Sequence, residues 1–267
     1  SRRVECLLMA WAARGWGTRR TAASLSTDWS HHMPYGIGYG YGLGYDMTYI
    51  AIVVVSMVLG LLTQWYINSS YKRWSRVPTS FGTTGAEVAR RMLDENGASA
   101  VGIGHVAGHL SDYFDPRDNN LHLSEENYEG GSVASVAVAC HEAGHAVQTA
   151  RGFAFGRFRT AMVPLVNVTQ QAWAVLLFLG FVLNFTGLVQ LGVFLFAFTV
   201  LFQLVTLPVE IDASRRAVAY LSASGSGIDE RGARQVLTAA ALTYVSAALV
   251  SILQLVYLMG RADRRGR

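Results

Sequence analysis

The sequence predicts a mainly α integral-membrane protein with about four transmembrane helices and one small α+β region. Three observations lead there. Only 15% of the 267 residues are charged and 51% are hydrophobic, with a positive mean hydropathy, whereas soluble domains carry about a quarter charged residues. Uncharged apolar runs cover 47–71, 160–209 and 235–260, and the middle one is long enough to cross a bilayer twice. Between the first two runs, residues 77–131 are polar and carry short helix-like and strand-like patterns. The net charge of +4 comes from basic residues bunched beside the apolar runs, which suits lipid headgroups. No basic–aromatic module stands out, so no nucleic-acid partner is expected. Cys6 and Cys140 offer neither a disulfide framework nor a paired-cysteine metal knuckle.

In chain order, residues 1–32 hold Arg2, Arg3, Arg14, Arg19 and Arg20 against Glu5 and Asp28. They read as an extension upstream of a natural start at Met33, or as an Arg-rich targeting segment. His31 and His32 have no expected chemistry. The Gly/Tyr tract at 33–46 is a lead-in whose tyrosines prefer the headgroup level. The tail 1–46 thus precedes a membrane domain over 47–260. Its first span is expected at about 47–67, edged by Trp65, Tyr66 and Tyr71 and flanked by Lys72, Arg73 and Arg76. Thr84 followed by Glu87 predicts a capped helix that stops at Gly97. Residues 101–108 and 119–124 alternate like strands around a turn at Asp115-Pro116. Asp112, Asp115 and Asp118 are expected to form turns, and Glu125 and Glu126 to cap the next helix. Glycines around His105 and His109 argue against a helix there, so these two are not expected to share a metal.

Residues 132–150 have no proline and end at Arg151-Gly152, which predicts one helix. Arg151, Arg157 and Arg159 form a basic stretch after it. Spans at about 162–183 and 188–207 are expected to make a hairpin around Asn184–Gly187, with Pro208 ending it. A fresh helix should run from Glu210 to Leu221, followed by a polar loop at 222–233, a fourth span at about 236–259 and a basic tail at 261–267.

The predicted helix at 132–150 carries HEAGH at 141–145. Residues four apart share a helix face, so His141 and His145 can offer two imidazole nitrogens to one metal. Glu142 can reach a water bound to that metal. This is the His-Glu-x-x-His arrangement of zinc hydrolases, with Glu as general base. The surrounding positions are small and apolar, a setting in which two histidines and a glutamate are costly unless a metal satisfies them. A tetrahedral zinc then lacks one protein ligand. Glu210, the first acid after the uncharged run, is the candidate, returned to the same side by the hairpin; alternatively it caps a helix N-terminus, as the dipole favours. Asp212, Ser214 and Arg215 are expected to support or cap.

Three blocks in order, SDYFDPRDNNLHLSEENY, SVASVAVACHEAGHAVQ and LPVEIDASRRA, resemble the YugP-like bacterial membrane zinc metallopeptidases from about Tyr49 to Gly260. The resemblance implies a zincin-like catalytic region, zinc as cofactor, a zinc-bound water activated by Glu142, and His141, His145 and Glu210 as ligands. The last block is also similar to the Glu-x-x-Ala-Asp of HtpX-type proteases, although Ser214 stands where those have Asp. In zincin-type enzymes the strand before the active helix commonly pairs with an extended peptide, which here implies Leu121, His122, Leu123 and Ser124 as substrate-binding residues. The implied function is a membrane zinc endopeptidase acting on peptides or membrane proteins, held in the lipid bilayer. Two other readings stand beside it: a site-2-type intramembrane protease, and a non-catalytic membrane protein with a structural zinc. The sequence fixes no oligomeric state.

Lys72, Arg73, Arg76, Arg151, Arg157, Arg159, Arg215, Arg216, Arg231 and Arg234 all flank spans on the side of the motif. The positive-inside rule then expects a multi-pass protein of the plasma (inner) membrane with its site on the cytoplasmic face. The arginines of 1–32 and of the tail point the other way.

Overall fold

The computed structural model describes residues 46–266. The tail 1–45, including the Gly/Tyr tract and His31 and His32, lies outside the described residues. The elements are α1 (Met47–Trp74), α2 (Gly85–Glu95), β1 (Gly102–Val106), β2 (Tyr113–Asp115), β3 (Asn120–Ser124), α3 (Glu125–Tyr128), α4 (Val133–Ala150), α5 (Ala154–Val182), α6 (Thr186–Ser224) and α7 (Gly227–Gly266). The described residues are thus mainly helical with one small sheet. Among them four helices, α1, α5, α6 and α7, are long and apolar enough to cross a membrane.

Each boundary has a local cause. The Asp46 carboxylate caps α1 by accepting from the Thr48 and Tyr49 N–H groups. Thr84 caps α2 through the Glu87 N–H, and Gly97 supplies the positive φ beyond its end. Ser132 caps α4 through the Ser135 N–H, so Glu125 and Glu126 are not its caps; they sit in the short α3. Gly152, at φ +64°, follows the end of α4.

The long helices form antiparallel pairs. The start of α1 meets the end of α7, where Asp46 accepts from Tyr257 Oη at 2.7 Å and Arg261 Nη1 at 3.2 Å. The end of α1 meets the start of α7, where Trp74 Nε1 donates to Gln235 Oε1 at 2.8 Å. Helices α5 and α6 form the hairpin; a Cβ on Gly180 would lie 2.7 Å from Val189 Cγ2, so small residues permit the close approach.

The polar elements gather at the end shared by Trp74, α4 and the α6–α7 turn. Asp229, almost fully buried, accepts from Thr79 Oγ1 at 2.6 Å, Ser226 Oγ at 2.7 Å and the Ser80 N–H at 3.2 Å. It thereby ties the α6–α7 turn to the loop after α1. One core unites Val88, Met92 and Leu93 of α2, Leu121 and Leu123 of β3, Val136, Ala139, Cys140, Ala143 and Val147 of α4, Leu221 of α6 and Leu237 of α7. Helix α4 is its central element, packed against α2 on one side and α6 and α7 on the other.

Two expectations are corrected and two features are new. Pro208 does not end the hairpin: α6 runs through it without a break. Proline removes one N–H and kinks a helix, but neighbouring helices and local adjustment let membrane helices tolerate it. Arg157 and Arg159 lie inside α5, which starts at Ala154. Most of the expected loop at 222–233 is the first turns of α7. The sheet has order β1-β3-β2, with β1 parallel to β3 and β2 antiparallel to it; β2 was not expected. Asp115 and Asp118 do form turns, accepting from the Arg117 and Asn120 N–H groups.

Candidate metal centre

Two helices build the site. On α4, His141 and His145 stand one turn apart, their ring centroids 4.8 Å from each other and their planes at 84°. On α6, Glu210 points at both: its Oε2 lies 3.3 Å from His141 Nε2 and 3.6 Å from His145 Nε2. The side chains of His141, His145 and Glu210 are 13%, 14% and 5% exposed. Glu210 sits in the interior of α6, so it caps no helix N-terminus. Asp112 and Asp115, two other acids of this region, are engaged elsewhere, with Ser124 and Asn127 and with Arg117 respectively.

The three residues fit a zinc ion. Their ligand atoms all lie within 4.8 Å of one another. A tetrahedral zinc with bonds of about 2.0–2.1 Å separates its ligand atoms by roughly 3.3–3.4 Å. The histidines are also held from behind. Gln148, three residues after His145 and almost fully buried, donates through Nε2 to the Val209 carbonyl at 2.7 Å and to Asp212 Oδ2 at 2.8 Å. Two acceptors on that side turn its amide oxygen toward His145 Nδ1, 3.1 Å away. That oxygen can only accept, so Nδ1 of His145 carries a proton, which leaves Nε2, the nitrogen nearer Glu210, as the one that can ligate a metal. Ser214 Oγ lies 3.1 Å from His141 Nδ1 and can hold the other ring in the same sense. Such partners fix ring orientation and tautomer in metal sites.

Asp212 continues the support by pairing with Arg216 Nε at 2.6 Å. Of the residues expected to support the site, Asp212 and Ser214 do so, whereas Arg215 lines a cleft between α6 and α7 with Ser214, Arg234 and Leu237; Arg216 takes the expected place. Gln148 was not foreseen, although its spacing of three from His145 on one helix was a readable signal. Glu142 is half-buried beside His141 on the same helix. Cys140 is buried and its surroundings push the thiol well above its usual pKa, so no thiolate is available there.

Gly144, inside the motif, sets how closely the two helices approach. A Cβ there would lie 2.8 Å from the Ala213 carbonyl oxygen and 3.2 Å from Ala213 Cα, both rigid backbone. Gly144→Ala would gain about 1 kcal/mol of helix propensity, but overpacking costs about 1–3 kcal/mol, so the clash is expected to win and part α4 from α6. The expected result is zinc held at least about tenfold more weakly, read by competition with a chelator beside wild type. Equal retention in the two proteins would show that the helix spacing does not set the site.

Leu121, His122, Leu123 and Ser124 do not form an edge for a peptide. Strand β3 is the middle strand, hydrogen-bonded to β1 along 120–124 and to β2 along 120–122. Leu121, Leu123 and Ser124 are fully buried, and the His122 ring stacks on Tyr113. The outer edges of this sheet belong to β1 and β2.

The family profile described as "Putative neutral zinc metallopeptidase" matches residues 49–263. The chain belongs to this family. The matched region covers nearly all of the four helices long and apolar enough to cross a membrane and the whole cluster of His141, His145 and Glu210. A relative from Bacillus subtilis (strain 168), named "Putative membrane protease YugP", is 39% identical over 221 residues, covering 80% of this chain and 98% of that protein. No solved structure matches. Zinc is the metal that the family name carries, and the donor set of two imidazoles and a carboxylate suits it.

Proposed function

We propose that this chain is a multi-pass membrane zinc endopeptidase in which His141, His145 and Glu210 hold one zinc ion and Glu142 is the general base. The observation that carries the reading is the convergence of both Nε2 atoms on Glu210 Oε2, at 3.3 and 3.6 Å, with Nδ1 of each ring held from behind. When bound, zinc supplies Lewis acidity that polarises a peptide carbonyl and makes water a stronger acid. His141 and His145 contribute neutral imidazoles, and Glu210 one negative charge. Gln148 and Ser214 keep the rings from turning. Glu142 takes a proton from the attacking water and delivers it to the leaving amine as the C–N bond breaks. A cluster of three protein ligands leaves a coordination position for chemistry, whereas a structural zinc uses four.

The substrate class is a peptide or membrane protein that reaches the polar end of the helices. The bilayer surrounds α1, α5, α6 and α7, with the site at the cytoplasmic face of the inner membrane. That orientation is supported by Lys72, Arg73, Arg76, Arg151, Arg157, Arg215, Arg216, Arg231 and Arg234 gathering at the end that holds the site.

The test is metal removal. Detergent-purified protein is expected to carry about one zinc per chain and to cleave an unfolded protein such as casein. Cleavage should vanish on chelation and return with added zinc. Cleavage that survives complete removal of zinc would rule the mechanism out.

A further inference from the structure

We propose that Arg159 supplies the positive charge that stabilises the oxyanion formed during peptide hydrolysis, an inference that rests on the protease reading above. The arginines near the site are not alike. Arg151 and Arg157 are exposed, as expected of headgroup anchors, but Arg159 is only half-exposed and its Nε is buried. The packing of the hairpin explains why. Met162 and Val166 of α5 meet Phe202 and Val205 of α6 in one cluster. Arg159 lies three residues before Met162 and so shares its face, one turn nearer the polar end. Because α6 runs antiparallel to α5, one turn beyond Val205 on α6 is Val209-Glu210. The hairpin therefore brings Arg159 level with Glu210.

A guanidinium suits the role. It has five N–H donors in a planar fork and stays protonated throughout, so it retains donors for a substrate oxygen while bonding within the chain. As water adds to the scissile carbonyl carbon, the C–O bond forms and the π electrons move onto the carbonyl oxygen. The water's proton goes to Glu142. Arg159 donates N–H bonds to that oxygen without giving up a proton. When the electrons return, the C–N bond breaks and the leaving nitrogen takes the proton from Glu142. A donor aimed at developing charge lowers the barrier more than it strengthens substrate binding.

The experiment compares wild type, Arg159→Gln and Arg159→Lys, each purified with its zinc. Two probes are used: a phosphinic peptide, whose tetrahedral anion mimics the oxyanion, and a hydroxamate peptide, which mainly tests the metal. Arg159→Gln is expected to keep its zinc and its hydroxamate affinity. It should lose at least about tenfold in phosphinic affinity, and kcat on casein should fall by about 100-fold or more with little change in KM. Arg159→Lys, which keeps the charge but not the fork, should fall between the two and guards against a folding defect in the glutamine variant. A phosphinic peptide held equally by wild type and Arg159→Gln, or by neither, overturns the assignment. Failure of the protease reading looks different: wild type carrying zinc would leave casein intact.

Discussion

Glu210→Ala is expected to strip the protein of zinc. Wild type should carry about one zinc per chain, and the variant close to none after dialysis. The reason is geometric. The carboxylate is the meeting point of both imidazoles, 3.3 Å and 3.6 Å from their Nε2 atoms, and its side chain is 5% exposed. Water has little access to replace it, and two neutral ligands alone hold zinc poorly. Losing a hydrogen-bond partner behind a ligand costs about 10–100-fold in metal affinity, so losing the ligand itself should cost more. Helix content measured by circular dichroism checks that the variant has folded. Full zinc in a folded variant would remove Glu210 from the ligand set.

Part of this site was legible in the sequence because its geometry is local. His141 and His145 share a face through helical periodicity alone, and a helix ending at Gly152 was readable from composition. Glu210 was reachable by a topological argument, since an uncharged run of hairpin length returns the chain to its starting side. What the sequence did not disclose depends on distant partners. The network of Gln148 with the Val209 carbonyl and Asp212 spans two helices, and Gln148 alone looks like an ordinary polar residue. Gly144 reads as a neutral filler until the Ala213 backbone is seen against it. The place of β3 was misjudged because alternation marks a strand but not its neighbours: β2, only three residues long, covers the side left open for a peptide.

Pro208 shows how a sound local rule can mislead. In a soluble helix interior proline costs about 3 kcal/mol and ends most helices. Here the helix is held on both sides by α5 and α7, and it continues for sixteen residues to Ser224. The consequence is mechanical. Glu210 stands two residues beyond Pro208 on the same rod as the membrane span, as do Asp212, Ser214 and Arg216. Glu210, the proposed third ligand, and the Ser214 hydroxyl beside His141 are therefore continuous with the span, whereas Gln148, the partner of His145, stands on α4.

Glu142→Gln should separate metal binding from chemistry. The amide has nearly the shape of the carboxylate, so α4 and the ligands need not shift, and zinc should remain at wild-type stoichiometry. The amide, however, accepts no proton from water near neutral pH and has none to hand to the leaving amine. General bases contribute about 10²–10⁴-fold, and kcat on casein should fall within that range. Glu142→Asp keeps the charge but shortens the reach by one methylene, so it should retain more activity than the glutamine variant. Two results would break the assignment in different ways. Wild-type turnover in Glu142→Gln would mean that another group takes the proton. Loss of zinc together with activity would make Glu142 part of the metal site and Glu210, at the heart of the histidine pair, insufficient to complete it.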